Sequence, residues 1–310
     1  MDPSNPFDDL PVIGNRSPEE AARILRDLGD EETAAALASA GEGSPTGPAT
    51  YGGKWWWPFQ DKPWQHTAHA FGHLAPAPPG EKMLPIRHAG NIEADPSLKN
   101  GRVKISLDCL RVAAYPGNGL HHVLFDFYAQ NQVSGKTVEH LHFNATYRAR
   151  EGERAAILGF PIFIGLNVGS EGVAFKCFTV NVKNDQDEAL LDFLDSDVFK
   201  GGLKLIKTAQ PAIAPLSGMA VGLTKSLASR HKNVPVQDFY MGLDFTNIPT
   251  RARLAEGSYI AVQIPEMMAT IWDWVDWVYQ PGTGQIVSKD DKQTLIPYNY
   301  LIFSVSRYEG

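Results

Sequence analysis

Hydrophobic and polar residues alternate one by one over several long stretches of this chain, beginning near residue 101. The apolar members of the first three stretches are Val103, Ile105, Leu107 and Cys109, then Val123, Phe125 and Phe127, then Leu141 and Phe143. Successive side chains of a β-strand point to opposite faces, so a period of two predicts strands buried on one face only. Such strands are typical of antiparallel sheets.

Further strand candidates follow, separated by turn sequences rich in glycine and proline. They cover residues 156–168, 173–182, 236–246, 258–264 and 298–306. At least eight short strands with this punctuation predict a mainly β protein, an antiparallel β-sandwich or jelly roll in which two sheets share one core. We place this sandwich at residues 97–310.

The pattern becomes helical within the predicted sandwich, around residues 185–232. The stretch 187–199 has leucines at helical spacing behind acidic residues, and 215–233 carries Met219, Leu223 and Leu227 at steps of four. The sequence therefore predicts a helical insertion, which we expect to close one end of the sandwich.

The first 53 residues predict a short helical hairpin followed by a linker. Ser17, Pro18 and Glu20 form a capping-box pattern, Gly29 can end the first helix, and Asp30 can cap the second. Nine acidic and three basic residues within the first 40 give this segment a charge of -6 of the chain's -7. Two helices this short need to pack against something else to be stable.

Residues 54–96 form a Trp/His/Pro-rich segment, and its first part, 54–73, lies between Gly/Pro-rich linkers at 41–53 and 75–82. We predict an extended arm whose aromatic residues bind a protein partner, a second copy of the chain or the sandwich itself; these residues are Trp55, Trp56, Trp57, Phe59 and Trp64. The favoured interpretation of the tryptophans is a clasp that covers an edge or face of the sandwich.

Charge and cysteine content narrow the function. The 28 basic residues are not concentrated in any segment, so nucleic acid is not an expected partner.

The two cysteines, Cys109 and Cys177, lie in strand-like apolar stretches and are expected to be core residues. No secretory signal and no apolar run of membrane-spanning length occurs, which predicts a soluble, cytoplasmic protein without stable membrane insertion.

Two histidine groups are candidate metal sites. His140 and His142 lie two residues apart on one predicted strand, so they share a face, and His122 on a neighbouring strand could join them to bind zinc or another transition metal. His66, His69 and His73 would share one face if residues 64–73 were helical. The alternative in each case is a structural role for the imidazoles, and no cofactor is the favoured expectation.

A cluster of tryptophans near the C-terminus is a candidate ligand site. It consists of Trp272, Trp274 and Trp277 with Asp273 between the first two. Flat indole rings stack on the C–H face of a sugar while carboxylates accept hydrogen bonds from its hydroxyls. The alternative is tryptophan packing inside the sandwich.

No nucleophile elbow, Ser-x-x-Lys or phosphate-binding loop occurs in the sequence. We therefore expect a non-catalytic binding or assembly module with a docking N-terminal arm. The alternatives are a metal-dependent enzyme that uses His122, His140 and His142, and a carbohydrate-binding module that uses the tryptophan cluster.

Overall fold

Two large β-sheets pack face to face in the computed structural model, and a third, smaller sheet lies outside them. The structure describes residues 5–41, 62–134, 137–155, 157–187, 190, 191, 194, 201–205, 213–248 and 250–310. This architecture confirms the predicted mainly β sandwich with a helical insertion and an N-terminal helical hairpin.

The first large sheet has seven strands, numbered here by their order in the chain. Across the sheet they are β3 (Arg87–His88), β1 (Ala68–Leu74), β12 (Gly257–Ile264), β15 (Tyr300–Arg307), β4 (Arg102–Arg111), β7 (Phe160–Asn167) and β9 (Leu203–Lys204). All neighbours pair antiparallel except β7 and β9.

The second large sheet has five strands. Across the sheet they are β11 (Ala252–Arg253), β10 (Val234–Asp244), β8 (Gly172–Val182), β5 (Leu120–Ser134) and β6 (Thr137–Arg150). Only the short β11 pairs parallel to its neighbour.

The main core lies between these two sheets and consists of the inward-facing residues of both. Phe175 of β8 and Phe303 of β15 meet across it, with ring centroids 4.4 Å apart. Val123, Phe125 and Phe127 of β5 point into this core, as the alternation predicts. Burial of such side chains is the dominant favourable term in folding.

A β-bulge changes the face of one predicted core residue. Cys109 was expected to share a face with Leu107, but the pairing of β4 with β15 shifts register between Ile302 and Phe303. One extra residue in a strand reverses the faces of all residues beyond it. Cys109 therefore packs in a second cluster on the outer side of the seven-stranded sheet, while Leu110 takes its place in the main core.

The third sheet covers that outer side. Its strands are β14 (Gln285–Ser288), β13 (Trp277–Gln280) and β2 (Leu84–Pro85). Ile86, Trp274 and Ile286 pack from this layer against Ile260 and Ile302 of the large sheet. Residues 84–88 link the two layers, because β2 pairs with β13 while β3 pairs with β1.

The N-terminal hairpin consists of α1 (Pro18–Asp27) and α2 (Glu31–Gly41). The predicted capping box is present: Ser17 accepts a hydrogen bond from the Glu20 amide at 3.2 Å, and Glu20 reaches back to the Ser17 amide. Gly29 adopts φ +77° at the turn. Ala22 and Leu25 are buried in the main core, so the hairpin packs on its own chain.

The helical insertion contains α3 (Ile213–Ala228), and most of the first predicted helix, 187–199, lies outside the described residues. Contrary to expectation, α3 does not close an end of the sandwich but packs on the outer face of the five-stranded sheet. Its buried face carries Ser217, Ala220 and Thr224, whereas Met219 is 62% exposed. No helix in the described part of the chain has the length and apolarity needed to span a membrane.

The described part of the predicted arm contributes a strand. Pro63–Gln65 forms one 3-10 turn, and β1 follows it between β12 and β3. Trp64 is 2% exposed and belongs to the main core. Trp55, Trp56, Trp57 and Phe59 lie outside the described residues.

Candidate ligand-binding cleft

The predicted tryptophan cluster lies on the loop that joins β12 to β13, at the border between the seven-stranded sheet and the small sheet. Asp273 fixes the loop locally, because its Oδ1 accepts a hydrogen bond from the Val275 amide at 2.9 Å. This contact caps a 3-10 turn over Trp274–Asp276, after which the chain enters β13 at Trp277. The turn gathers into one cluster three tryptophans that lie within a span of six residues.

Trp274 forms the floor of this cluster. It is 3% exposed, and its indole Nε1 donates to the Phe71 carbonyl at 3.1 Å. A Cβ at Gly72 would lie 3.0 Å from the Trp274 ring and 2.6 Å from the Ile86 side chain. Trp274 therefore packs directly on the β1 backbone and supports the other two indoles.

We predict that Gly72→Ala destabilises the protein and disturbs the floor of the cluster. Inserting a methyl group into this contact should lower the free energy of unfolding by about 1–3 kcal/mol, as overpacking of cores does. Urea unfolding followed by tryptophan emission measures both effects. Gly218→Ala is the matched control, since that glycine in α3 has nothing within 4 Å and alanine favours helix. Equal stability of Gly72→Ala and the wild type would contradict the packing described.

Trp272 and Trp277 present half-buried rings above this floor. Their planes are parallel within 3°, with centroids 6.3 Å apart. Trp272 is held edge-on by Trp274 at 5.4 Å and by Tyr298 at 5.9 Å. Because neighbouring rings fix Trp272, it can bind a ligand without loss of side-chain freedom.

The three tryptophans and Asp273 line a cleft of about 400 Å³, which we call the tryptophan cleft. Its lining residues are Pro85, Ile86, Arg87, His88, Asn91, Trp272, Asp273, Trp274, Val275, Trp277, Val278 and Lys289. The volume lies within the range of small-molecule sites, about 300–1,000 Å³.

The polar residues on the other side of the cleft were missed by sequence analysis. Arg87, His88 and Asn91 belong to β3 and the loop after it, nearly 190 positions before the tryptophans, and Lys289 follows β14. The His88 Nδ1 accepts a hydrogen bond from the Gly90 amide at 3.0 Å, so the ring proton resides on Nε2. Burial lowers the pKa of His88, which favours this neutral donor form.

The histidines of the predicted metal site do not meet. His140 and His142 share the outer face of β6 as predicted, but His122 on β5 is paired with Arg148, six residues beyond His142. At roughly 3.3 Å per residue this separation is about 20 Å. Residues 64–73 do not form the expected helix, because a single 3-10 turn at Pro63–Gln65 is followed by strand β1, so His66, His69 and His73 do not share a helix face either. Within the described ranges, no group of three or more metal-ligating side chains converges.

His142 belongs instead to a buried polar network under α3. Its Nδ1 donates to Asp126 at 2.6 Å, and Asp126 also accepts from Asn144 at 3.1 Å and from the Thr224 hydroxyl at 3.2 Å. Phe7 covers the network edge-on to His142, with centroids 6.1 Å apart. This network lies on the outer face of the five-stranded sheet, whereas the tryptophan cleft lies beyond the seven-stranded sheet.

Both cysteines are buried, and burial raises the pKa of Cys109 to about 12. A thiol in such a site stays protonated and unreactive at neutral pH.

No family model matches the sequence, and comparison with curated proteins and with solved structures finds no match. The tryptophan cleft, with its aromatic faces and convergent polar groups, is thus the candidate site that the geometry itself favours.

Proposed function

We propose that the protein is a non-catalytic binding protein that holds a saccharide in the tryptophan cleft. The observation that carries the proposal is the arrangement of Trp272 and Trp277, two parallel and partly exposed indoles at one cleft with Asp273 and the β3 residues. Of the three functions that the sequence predicts, carbohydrate binding is the one that this arrangement supports best.

A saccharide suits both kinds of surface in the cleft. The C–H face of a pyranose is apolar and flat and packs against an indole ring, which offers a large rigid contact area. Its hydroxyls can donate to Asp273 and accept from Asn91 and His88 Nε2–H. A purely apolar ligand would leave these polar groups without hydrogen bonds, which costs free energy.

Assembly and a cytoplasmic location remain predictions from the sequence. Assembly through the N-terminal arm depends on Trp55, Trp56, Trp57 and Phe59, which lie outside the described residues. A cytoplasmic location depends on sequence features alone. Native mass spectrometry of the full chain would measure its stoichiometry, and a monomer at micromolar concentration would contradict self-assembly.

We predict that Trp272→Ala and Trp277→Ala each weaken saccharide binding at least tenfold, which corresponds to about 1.4 kcal/mol. Each substitution removes one stacking face from the cleft. Trp272→Phe should retain most of the affinity, since an aromatic face remains. It should also keep its stability, because Trp272 Nε1 is buried without an acceptor among the described residues. Titration calorimetry with a panel of oligosaccharides measures the affinities.

The matched control is Tyr240→Ala, which removes an aromatic ring that is 55% exposed on the other large sheet. It should bind saccharides as the wild type does. The proposal is contradicted if no oligosaccharide in the panel binds the wild type, if both alanine variants bind normally, or if a mononucleotide binds the cleft more tightly than any sugar.

A further inference from the structure

Basic residues outnumber acidic residues in the lining of the tryptophan cleft. Arg87 and Lys289 line it, with Asp273 as the one lining carboxylate. Neither cation has a carboxylate within 4.0 Å among the residues that the structure describes. Asp273 is partly committed, since its Oδ1 accepts from the Val275 amide. The cleft thus has positive charge to spare within a chain of net charge -7.

The neutral polar residues increase the excess of donors. His88 offers Nε2–H, because its Nδ1 is occupied by the Gly90 amide. Asn91 adds a side-chain amide that can donate. A ligand that satisfies Arg87, His88 and Lys289 together needs several acceptor oxygens. A carboxylate meets this need best, because its two oxygens match the fork of a guanidinium group.

We infer that the saccharide bound in the tryptophan cleft carries a carboxylate, so that the ligand class is a uronic acid or an oligosaccharide containing one. This inference rests on the proposed function, because it assigns a charge to the sugar already placed against Trp272 and Trp277. The carboxylate lies toward Arg87 and Lys289, while the pyranose face lies against the indoles. Two cations are too few to hold a nucleic acid through counterion release.

The test compares two probes that differ only in charge: a galacturonic acid trisaccharide and its carboxyl-reduced counterpart with the same linkages. At low salt the wild type should bind the acidic probe at least about tenfold more tightly. This preference should decrease as salt screens the charges. Arg87→Gln and Lys289→Gln should each reduce the preference, because each weakens binding of the acidic probe more than binding of the neutral probe.

Lys292→Gln is the matched control, because Lys292 is an exposed lysine near Lys289 that does not line the cleft. It should keep the full preference. Equal affinity for the two probes, tighter binding of a sulfated trisaccharide, or an unchanged preference in Arg87→Gln would overturn the inference. If the two probes bind equally and Trp272→Ala abolishes the binding of both, the proposed function stands without the carboxylate. If neither probe binds but a neutral oligosaccharide of the panel does, the carboxylate inference fails and the proposed function stands; if no oligosaccharide binds, the proposed function fails.

Discussion

Asp126→Ala is expected to lower the free energy of unfolding by about 2–5 kcal/mol, because each buried donor left without an acceptor costs about 1–3 kcal/mol. The Asp126 carboxylate is 1% exposed, and it accepts hydrogen bonds from His142, Asn144 and Thr224. Alanine would leave the Nδ1–H of His142 and the Thr224 hydroxyl without an acceptor in a site that water does not reach. Unpaired buried donors cost more than the hydrogen bonds themselves contribute.

Graded substitutions separate this network from simple loss of volume. Asp126→Asn keeps one acceptor oxygen and should cost less than alanine. Thr224→Val removes a hydroxyl that donates to Asp126 and accepts from Asn144, and it should cost about 1–3 kcal/mol. The effects of Asp126→Ala and Thr224→Val should not add, because both remove the same hydrogen bond. Urea unfolding of the single and double variants measures the coupling. A loss below 1 kcal/mol for Asp126→Ala would contradict the network.

The same variants also test whether stability and the proposed binding are separable. Asp126 lies on the outer face of the five-stranded sheet, and the tryptophan cleft lies beyond the seven-stranded sheet, with the main core between them. Asp126→Ala protein that is still folded should therefore bind saccharide as the wild type does. Because the two surfaces lie far apart and share no contacting residues, we expect a substitution in one of them to leave the other unchanged.

The fold could be predicted from sequence wherever the signal is local. Alternation in β5 and β6 and the capping box at Ser17 depend on neighbouring residues, and the structure confirms them. The face of Cys109 could not be predicted, because the bulge opposite Ile302 depends on pairing with a strand nearly 200 residues away. A local pattern specifies the alternation of a strand but not the position at which its register shifts.

The buried face of α3 illustrates a second limit. Of the predicted row Met219, Leu223 and Leu227, the two leucines pack in an apolar cluster on the outer face of the five-stranded sheet, whereas Met219 is exposed. The helix also lies on the polar rows of β5 and β6 that contain Asp126 and Asn144. Ser217 and Thr224 line its buried side there. The Ser217 hydroxyl accepts a hydrogen bond from the His142 amide, and the Thr224 hydroxyl donates one to Asp126. Which face of a helix is buried depends on the polarity of its partner, and the helix sequence does not contain that information.

Some residues of the candidate site could be predicted from the sequence and others could not. The tryptophans with Asp273 form a local motif, and their neighbourhood in sequence predicted a site. Arg87, His88 and Lys289 carry no motif of their own and reach the cleft through the pairing of β2 with β13 and of β3 with β1. The predicted sharing of one face by His140 and His142 is observed, yet His142 bonds to Asp126, a partner that spacing alone does not identify.

Acidification is expected to destabilise the protein through His121. This imidazole is fully buried, and burial, reinforced by the charge of Lys183, lowers its pKa from 6.5 to about 4. Its Nδ1 lies 3.3 Å from the Asn181 Oδ1, whereas its Nε2 is buried without a partner among the described residues. Protonation of Nε2 would place a charge in the interior with nothing to stabilise it, so the folded protein resists the proton that the unfolded chain accepts.

The sign of the effect follows from proton binding in the two states. Above pH 6.5 neither state protonates His121, so its full contribution to stability is present. Between pH 6.5 and about 4 the unfolded chain binds a proton that the folded protein does not, so the free energy of unfolding falls as the pH falls. A shift from 6.5 to about 4 corresponds to a loss of about 3 kcal/mol when the pH reaches the folded value. His69, whose pKa burial also lowers to about 4, adds to the loss in the same window.

Urea unfolding of the wild type and of His121→Gln at intervals from pH 7 to pH 4.5 measures this contribution. The slope of the unfolding free energy against pH near pH 5 should decrease in His121→Gln by about 1.4 kcal/mol per pH unit, the equivalent of one proton. His231→Gln is the control, because the His231 side chain is 67% exposed and its removal should leave the slope unchanged. Since His121→Gln is expected to be less stable at pH 7, the slope and not the absolute stability decides the outcome. A slope equal to that of the wild type would show that His121 titrates normally in the folded protein, which a fully buried imidazole with an unpaired Nε2 does not allow.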